Sequence, residues 1–215
     1  MSRYLIVNGD DFGYSYSINK GITEAHTNGI VTSTSVMVDA IAADEAKDLP
    51  KFPDLSIGLH FEIKEVKDVA AELERQMDKF VSIVGKGPDH IDTHKLHTTD
   101  EGIKEILEDY AQTHNIPIRN FNAKHISSFG INSDDSSITQ LKRSIDEATE
   151  EYNELMTHAG YSDDYLREQS SYNDPREDEL KSLCSIEIMQ YIQKKGLTLV
   201  NWRDLPRKKK KSYLM

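Results

Sequence analysis

The sequence predicts an α/β fold with a largely parallel sheet or barrel. Short apolar runs alternate with longer amphipathic runs along most of the chain, which is typical of repeated βα units. A length of 215 residues is enough for one domain with a full core and a deep cleft. We therefore expect a single α/β domain over residues 1–206, followed by a basic tail at residues 207–215.

Eight short segments are predicted strands because they are apolar and bounded by turn residues. They cover residues 4–7, 31–38, 56–59, 90–93, 117–120, 124–128, 154–157 and 197–201.

The clearest predicted helix covers residues 66–84, where apolar side chains recur every three or four positions. A second helix, residues 18–28, ends at Gly29, and a third, residues 100–113, begins with Thr99 or Asp100 as its N-cap. A fourth covers residues 138–151. Residues 161–178 are polar and predict a long surface loop, a kind of segment that is often functional.

Charge and hydropathy exclude several classes of partner. The net charge of -11 argues against binding to nucleic acid, which is held chiefly through positive surfaces. No apolar run is long enough to span a bilayer, so no membrane partner is expected. Residues 207–211 form a basic run in this otherwise acidic chain. Such runs are usually solvated chain ends.

The N-terminus predicts the location of the protein, and the single cysteine limits its possible cross-links and metal ligands. Acidic residues follow the first apolar run too soon for a signal peptide, so we expect a cytoplasmic protein. Cys184 is the only cysteine, which excludes an intrachain disulfide and a thiolate metal cluster. Any metal must therefore be bound by histidine and carboxylate.

Polar residues with metal-binding chemistry follow several predicted strands. In a parallel α/β fold the carboxyl ends of the strands share one face, where ligands bind. Metal-assisted hydrolysis needs ligands with an open position, a base and an acid. The residues that could supply these parts are Asp10, Asp11, His60, Asp92, His94 and His158.

Each of these residues also has a plain structural interpretation. An Asp-Asp pair is more often a turn or a helix cap than a site, although Gly9 and Gly13 would permit an irregular backbone around it. His60 and His158 could each be a histidine that makes one structural hydrogen bond. Residues 89–97 carry a stronger signal, because strand alternation places His90, Asp92 and His94 on one face.

Several ordered motifs resemble those of the YdjC-like family, which includes the chitooligosaccharide deacetylases. The opening Leu5-Ile6-Val7-Asn8-Gly9-Asp10-Asp11-Phe12-Gly13 is followed by Ile57-Gly58-Leu59-His60, Asp89-His90-Ile91-Asp92-Thr93-His94, Glu154-Leu155-Met156-Thr157-His158 and Asn173-Asp174-Pro175-Arg176. The resemblance covers nearly the whole chain.

The resemblance implies an irregular (β/α) barrel of the glycoside hydrolase/deacetylase type and a set of site residues. Asp11, His60 and His94 would bind a divalent metal ion, and Asp10 would be the general base. His158 would be the general acid or an oxyanion partner. His97 and Arg176 would contact substrate. Arg176 could instead orient a carboxylate or form an ion pair at the surface.

Three departures from the family pattern bear on substrate. His97 follows His94 at a spacing of three where relatives have alternating histidines, so its usual supporting role is not assured. Ala159 replaces the proline that commonly follows the last histidine. The connection between His60 and the next helix is short, which predicts a trimmed cleft that contacts fewer sugar units.

The function implied by the resemblance is removal of N-acetyl groups from amino sugars or short N-acetylglucosamine-containing oligosaccharides. The cofactor would be Mg²⁺ or Zn²⁺, since both suit an open site of imidazole and carboxylate. The alternatives are hydrolysis of another amide or ester on the same fold, and sugar binding without turnover. The expected partner is a small carbohydrate substrate, and a homodimer would be unsurprising.

Overall fold

The structure, a computed structural model, describes residues 2–63, 68–94, 101–127 and 136–206. Several sequence-based predictions lie outside these residues. They concern His97, the N-cap at Thr99 or Asp100, the first residues of the helix predicted at 66–84, and the basic tail at 207–215.

A parallel sheet forms the centre of the molecule. In the described part of the chain its strands are β1 (Arg3–Phe12), β2 (Ser33–Val36), β3 (Ser56–Phe61), β4 (Ile91–Thr93), β5 (Lys124–Ser127), β6 (Tyr152–Thr157) and β7 (Leu197–Leu199). Their order is β4-β3-β2-β1-β6-β5, with β7 also paired to β1, and every pairing is parallel. The sheet curls into an irregular half-barrel, which confirms the predicted α/β class and barrel type.

Helices follow most strands, as the βα pattern predicts. They are α1 (Tyr16–Asn28), α2 (Val69–Val84), α3 (Glu101–His114), α4 (Ser137–Asp146), α5 (Asp164–Gln169), α6 (Pro175–Leu183) and α7 (Ile186–Lys194). A 3₁₀ helix, Ala43–Lys51, lies between β2 and β3. No helix in the described ranges is both long and apolar enough to cross a membrane.

The predicted surface loop at residues 161–178 is wrong, because α5 and the start of α6 lie within it. The Asp163 side chain caps α5 by accepting a 2.7 Å hydrogen bond from the Leu166 backbone N–H, and Pro175 occupies the first turn of α6. Leu166 is fully buried. Capping and one buried anchor therefore stabilise helices in a segment whose composition resembles a loop.

Two other element predictions need correction. The strand predicted at residues 117–120 is only an isolated bridge from Ile118 to Ile91, because Asn120 adopts a left-handed backbone with φ 69° and ends the extended run. The helix predicted at residues 138–151 ends at Asp146. The chain leaves that helix before the turn into β6.

Two apolar clusters support opposite faces of the sheet. The larger one lies between the sheet and the helices, and the smaller one consists of Ile6, Ala123, Trp202 and Leu205. Ile6 points the same way as Asn8 and Asp10, since side chains two apart on a strand share a face. The smaller cluster therefore fills the inside of the curled sheet. Polar residues lie on the same inner face, nearer the carboxyl ends of the strands.

Candidate metal centre and active site

Three of the predicted ligands converge at the carboxyl ends of β1, β3 and β4. Asp11 Oδ1 lies 3.3 Å from His60 Nε2 and 3.4 Å from His94 Nδ1. The three ligand atoms all lie within 4.8 Å of one another. The structure thus brings together side chains that are up to 83 residues apart in sequence, as the position of each after a parallel strand predicts.

The backbone at Asp11 explains how two consecutive carboxylates reach one site. Asp11 has φ 70°, and the pairing of β1 with β2 shifts register between Gly9 and Phe12. Aspartate tolerates the left-handed region better than most residues. Gly9, by contrast, lies in the regular part of the ladder, opposite Thr34 and Thr157. The predicted irregularity is therefore present, but it is at Asp11 and Gly13 rather than at Gly9.

Arg176 fixes the orientation of the Asp11 carboxylate. Its guanidinium donates a 2.7 Å hydrogen bond to Asp11 Oδ2, which leaves Oδ1 facing the two histidines. Burial alone would raise the pKa of Asp11, but the Arg176 charge and contacts with His60 and His94 hold this pKa well below its usual range. Arg176 is 4 % exposed, so it forms a buried ion pair rather than a surface one. Its contact with substrate stays a prediction.

Asp92 orients His60 from the neighbouring strand. The two residues are direct partners in the β3–β4 register, and His60 Nδ1 lies 2.6 Å from Asp92 Oδ1. A proton on Nδ1 in this contact leaves the Nε2 lone pair directed at Asp11 and free to bind a metal. Carboxylate-histidine pairs of this kind support many metal ligands.

Carboxylates surround His60 so closely that its protonation is affected. Burial lowers the pKa of His60, but the Asp92 carboxylate, together with Asp11 and Asp10, raises it to about 10 in the metal-free protein. Asp92 is affected in the opposite direction. The charges of Arg119 and His60 keep the pKa of Asp92 well below its usual range despite burial. A metal ion would replace the His60 proton, since a coordinating imidazole must be neutral.

Asp10 lies beside this cluster, bound to Arg119 through both oxygens. Arg119 Nη1 is 2.7 Å from Asp10 Oδ2, and Nη2 is 2.6 Å from Oδ1. Asn8 donates a further 2.7 Å hydrogen bond to Oδ1. Burial raises the pKa of Asp10, but the Arg119 charge lowers it below the usual value, so the group is an ionised carboxylate at neutral pH.

Arg119 and Asn8 are site residues that the sequence interpretation missed. Arg119 follows a short apolar segment, the same kind of position that indicated His60, and this position is the signal that could have identified it. Asn8 lies two positions before Asp10 on β1, and alternation alone would have placed it on the same face.

His158 follows β6 and lies close enough to the cluster to interact electrostatically with Asp11, Asp10 and His60. Its backbone N–H donates to Glu179 Oε1 at 2.9 Å, and its ring packs edge-on against Tyr172 at 5.7 Å. Burial lowers the pKa of His158, and the Asp11 and Asp10 carboxylates only partly oppose this shift. The imidazole is therefore neutral at pH 7 and carries one N–H that can donate.

His90 does not join the cluster, although the sequence placed it on one face with Asp92 and His94. It is fully buried and stacks on Trp202 with ring centroids 4.8 Å apart. A side chain larger than a hydrogen atom at Gly58 would collide with its ring. His90 is a packing residue beneath Asp92, and its Nε2 lies 3.5 Å from Asp92 Oδ2.

Three observations show that the cluster suits a divalent cation. His94 Nδ1 is a buried ring nitrogen 3.4 Å from Asp11 Oδ1, and among the described residues it has no hydrogen-bond partner. Donor atoms that bind one zinc ion at about 2.0–2.1 Å in a tetrahedron are about 3.3 Å apart, close to the spacings around Asp11 Oδ1. Four buried carboxylates, those of Asp10, Asp11, Asp92 and Glu154, also outnumber the two buried guanidinium groups that pair with them, those of Arg119 and Arg176.

The family model for YdjC-like protein matches residues 4–67 and 63–194. The chain belongs to the YdjC-like family. This confirms the resemblance of the sequence motifs, and the two matched segments overlap at residues 63–67, after β3.

Curated relatives of this YdjC-like chain match it over nearly its full length. A carbohydrate deacetylase of Clostridium beijerinckii is 32% identical over 244 residues, covering 94% of this chain and 99% of that protein. A chitooligosaccharide deacetylase of Proteus mirabilis is 32% identical over 253 residues, covering 95% and 100%.

Solved structures share the fold of this YdjC-like chain. A protein of Enterococcus faecalis V583 superposes with a TM-score of 0.80 at 24% identity, covering 94% of this chain and 98% of that chain. A family 4 carbohydrate esterase of Streptomyces lividans, in complex with acetate, superposes with a TM-score of 0.61 at 14% identity, covering 92% and 91%. At these identities the likeness concerns the fold.

Proposed function

We propose that this protein is a metal-dependent carbohydrate deacetylase that removes N-acetyl groups from amino sugars or short N-acetylglucosamine-containing oligosaccharides. The observation that carries the proposal is the convergence of Asp11, His60 and His94 beside an ionised, arginine-bound Asp10. Family membership and the names of the full-length relatives support the same activity.

The metal-binding role belongs to Asp11, His60 and His94. A divalent cation bound there would supply Lewis-acid polarisation of the substrate carbonyl and lower the pKa of water. Imidazole and carboxylate donors suit Zn²⁺, while an open site with water ligands also suits Mg²⁺. Metal analysis of protein purified without added metal, by elemental mass spectrometry, distinguishes the two.

Asp10 is the general base of the proposed reaction. Its carboxylate is ionised, and Arg119 and Asn8 hold both oxygens in place, so it can accept the proton of the attacking water without reorientation. The paired charge of Arg119 keeps the group ionised between turnovers.

His158 assists the departing nitrogen. Its neutral ring would donate a hydrogen bond from its N–H, and the proton that the amine gains would be the one that Asp10 has taken from the attacking water. The backbone bond to Glu179 fixes the start of its loop. The alternative role, contact with the developing oxyanion, uses the same N–H. An Arg176 or His97 contact with the sugar remains a prediction.

Acetate release tests the proposed function. N-acetylglucosamine and N-acetylated chitooligosaccharides of two to six units would be compared, each with and without a chelator. We expect metal-dependent acetate release, with the best substrate among the short oligosaccharides because the connection after β3 is short. Tight sugar binding without acetate, or release only from unrelated amides or esters, would contradict the proposal.

Three further properties remain predictions. They are a single catalytic domain over residues 1–206, a cytoplasmic location and a homodimeric state. Limited proteolysis, cell fractionation and light scattering measure them in turn.

A further inference from the structure

Glu154 lies on β6, inside the curled sheet, and is not one of the proposed metal ligands. It is fully buried, and its direct partners in the sheet are Ile6 on β1 and His125 on β5. A buried carboxylate needs compensating charge or hydrogen bonds to remain stable. Both of its oxygens are in fact occupied, one by Arg119 and the other by His125.

The Arg119 guanidinium is held along two edges. Its Nε and Nη2 donate to Glu154 Oε1 at 3.1 and 2.8 Å, and its Nη1 and Nη2 bind the two oxygens of Asp10. Arg119 Nη2 also lies 3.0 Å from Asp92 Oδ2. A guanidinium is planar and rigid, so a partner fixed on one edge determines where the other edge points.

His125 fixes Glu154 in turn. Its Nδ1 lies 2.6 Å from Glu154 Oε2, the oxygen that does not bind Arg119. His125 is on the neighbouring strand and its side chain is 14% exposed. The contacts therefore form one chain from His125 through Glu154 and Arg119 to Asp10, across three strands of the sheet.

We propose that Glu154 is a positioning residue. It holds Arg119 in the orientation that binds both oxygens of Asp10, and it thereby sets the turnover rate without contacting substrate or metal. The inference rests on the proposed function, in which Asp10 is the base. Loss of the Glu154 charge frees the Nε edge of Arg119, and the guanidinium then rotates toward Asp92 and away from Asp10.

A double-mutant cycle of Glu154→Gln with Asp10→Asn tests this proposal. Glutamine keeps the size of the side chain but cannot accept two charged hydrogen bonds on one oxygen as strongly. We expect Glu154→Gln to lower kcat about 10- to 100-fold, as is typical when a supporting partner is lost. KM and the dissociation constant for added Zn²⁺ or Mg²⁺, measured by calorimetry, should change by less than about twofold.

The decisive comparison is made in the Asp10→Asn protein. If Glu154 acts through Arg119 on Asp10, Glu154→Gln should lower kcat there by no more than about twofold further. If Glu154→Gln lowers kcat as strongly in the Asp10→Asn protein as in the wild type, or if weaker metal binding explains the lower kcat, then Glu154 has a general structural role. Either result would overturn the proposal. If the Asp10→Asn variant alone keeps the wild-type kcat, Asp10 is not the general base, and this inference fails together with that assignment.

An NMR measurement separates failure of this proposal from failure of the proposed function. The Nε–H signal of Arg119, assigned by its loss in Arg119→Lys, should exchange slowly in the wild-type protein and faster in Glu154→Gln. Slow exchange in both proteins overturns the positioning role even if the protein proves to be a deacetylase. Faster exchange in the variant supports the positioning of Arg119 by Glu154 even if the wild-type protein releases no acetate, and in that case only the effect on turnover fails with the proposed function.

Two other variants complete the design. Glu151→Gln makes the same chemical change at an exposed position just before β6, and should keep wild-type kcat. If Glu154→Gln does not fold, Glu154→Asp keeps the charge but shortens the side chain by one carbon. The same pattern of lost kcat, unchanged metal affinity and non-additivity with Asp10→Asn is expected, and its absence contradicts the proposal.

Discussion

Arg176 and Asp11 are 165 residues apart in sequence, yet the Arg176 guanidinium donates a 2.7 Å hydrogen bond to the Asp11 carboxylate. The contact joins the start of α6 to the end of β1 and occupies the oxygen that does not face His60 and His94. A residue that orients a metal ligand contributes to the geometry of the site even though it does not itself bind the ion.

The Arg176→Gln substitution should therefore weaken metal binding. Glutamine removes the charge that keeps Asp11 ionised and oriented, and loss of such a partner typically costs about 10- to 100-fold in metal affinity. Calorimetric titration of the metal-free protein measures this effect. The matched control is Arg167→Gln, since Arg167 makes an exposed ion pair with Asp174. Equal metal affinity in both variants would contradict the role of Arg176.

The Asp10→Asn substitution should lower kcat about 10²- to 10⁴-fold, the usual contribution of a positioned acid or base. Asparagine has nearly the same size and can still accept from Arg119, so the metal content should not change. Steady-state acetate release and elemental analysis of one preparation measure both quantities. Near-normal turnover with metal bound would exclude Asp10 as the base.

The metal-free protein should lose stability as pH rises through the range set by His60. Its pKa is about 10 in the folded protein and about 6.5 when unfolded, so the stabilisation is complete below pH 6.5 and lost as pH approaches 10. Melting temperatures of chelated wild-type protein and His60→Gln, measured from pH 6 to 10, should converge as pH rises. A constant difference between them would contradict this prediction.

Metal binding should release protons for the same reason. His60 carries a proton in the metal-free protein at neutral pH, and it must lose this proton to bind the ion through Nε2. Calorimetric titrations in buffers of different ionisation enthalpy give the number of protons released. The affinity should also rise between pH 7 and pH 10, and a pH-independent affinity would contradict a protonated His60.

The Trp202→Ala substitution should destabilise the fold by about 3–5 kcal/mol, the typical cost of removing a large buried aromatic side chain. Trp202 is fully buried inside the curled sheet and stacks on His90. Chemical denaturation measures the free energy of unfolding. Ile186→Ala is the control, since Ile186 is 67% exposed and its loss should cost within about 0.5 kcal/mol. Similar values for the two variants would contradict a core role for Trp202.

Local patterns in the sequence determined much of the fold and the position of the site. Apolar periodicity predicted the βα order and the helix that the structure gives as Val69–Val84. Parallel strands end on one face, so the positions of Asp11, His60 and His94 after their strands predicted convergence before any contact was known. These inferences depend only on neighbours along the chain and on one rule of topology.

Only the tertiary structure decided which groups bind to which. The bond from Arg119 to Asp10 spans 109 residues and that from Arg176 to Asp11 spans 165, and no local pattern specifies either partner. Capping likewise stabilises α5 in a segment that composition assigns to a loop. The chain itself therefore determined the alternation of elements and the ligand types, while the packing of distant elements decided the pairing of buried charges, because their desolvation is offset only by groups that folding brings together.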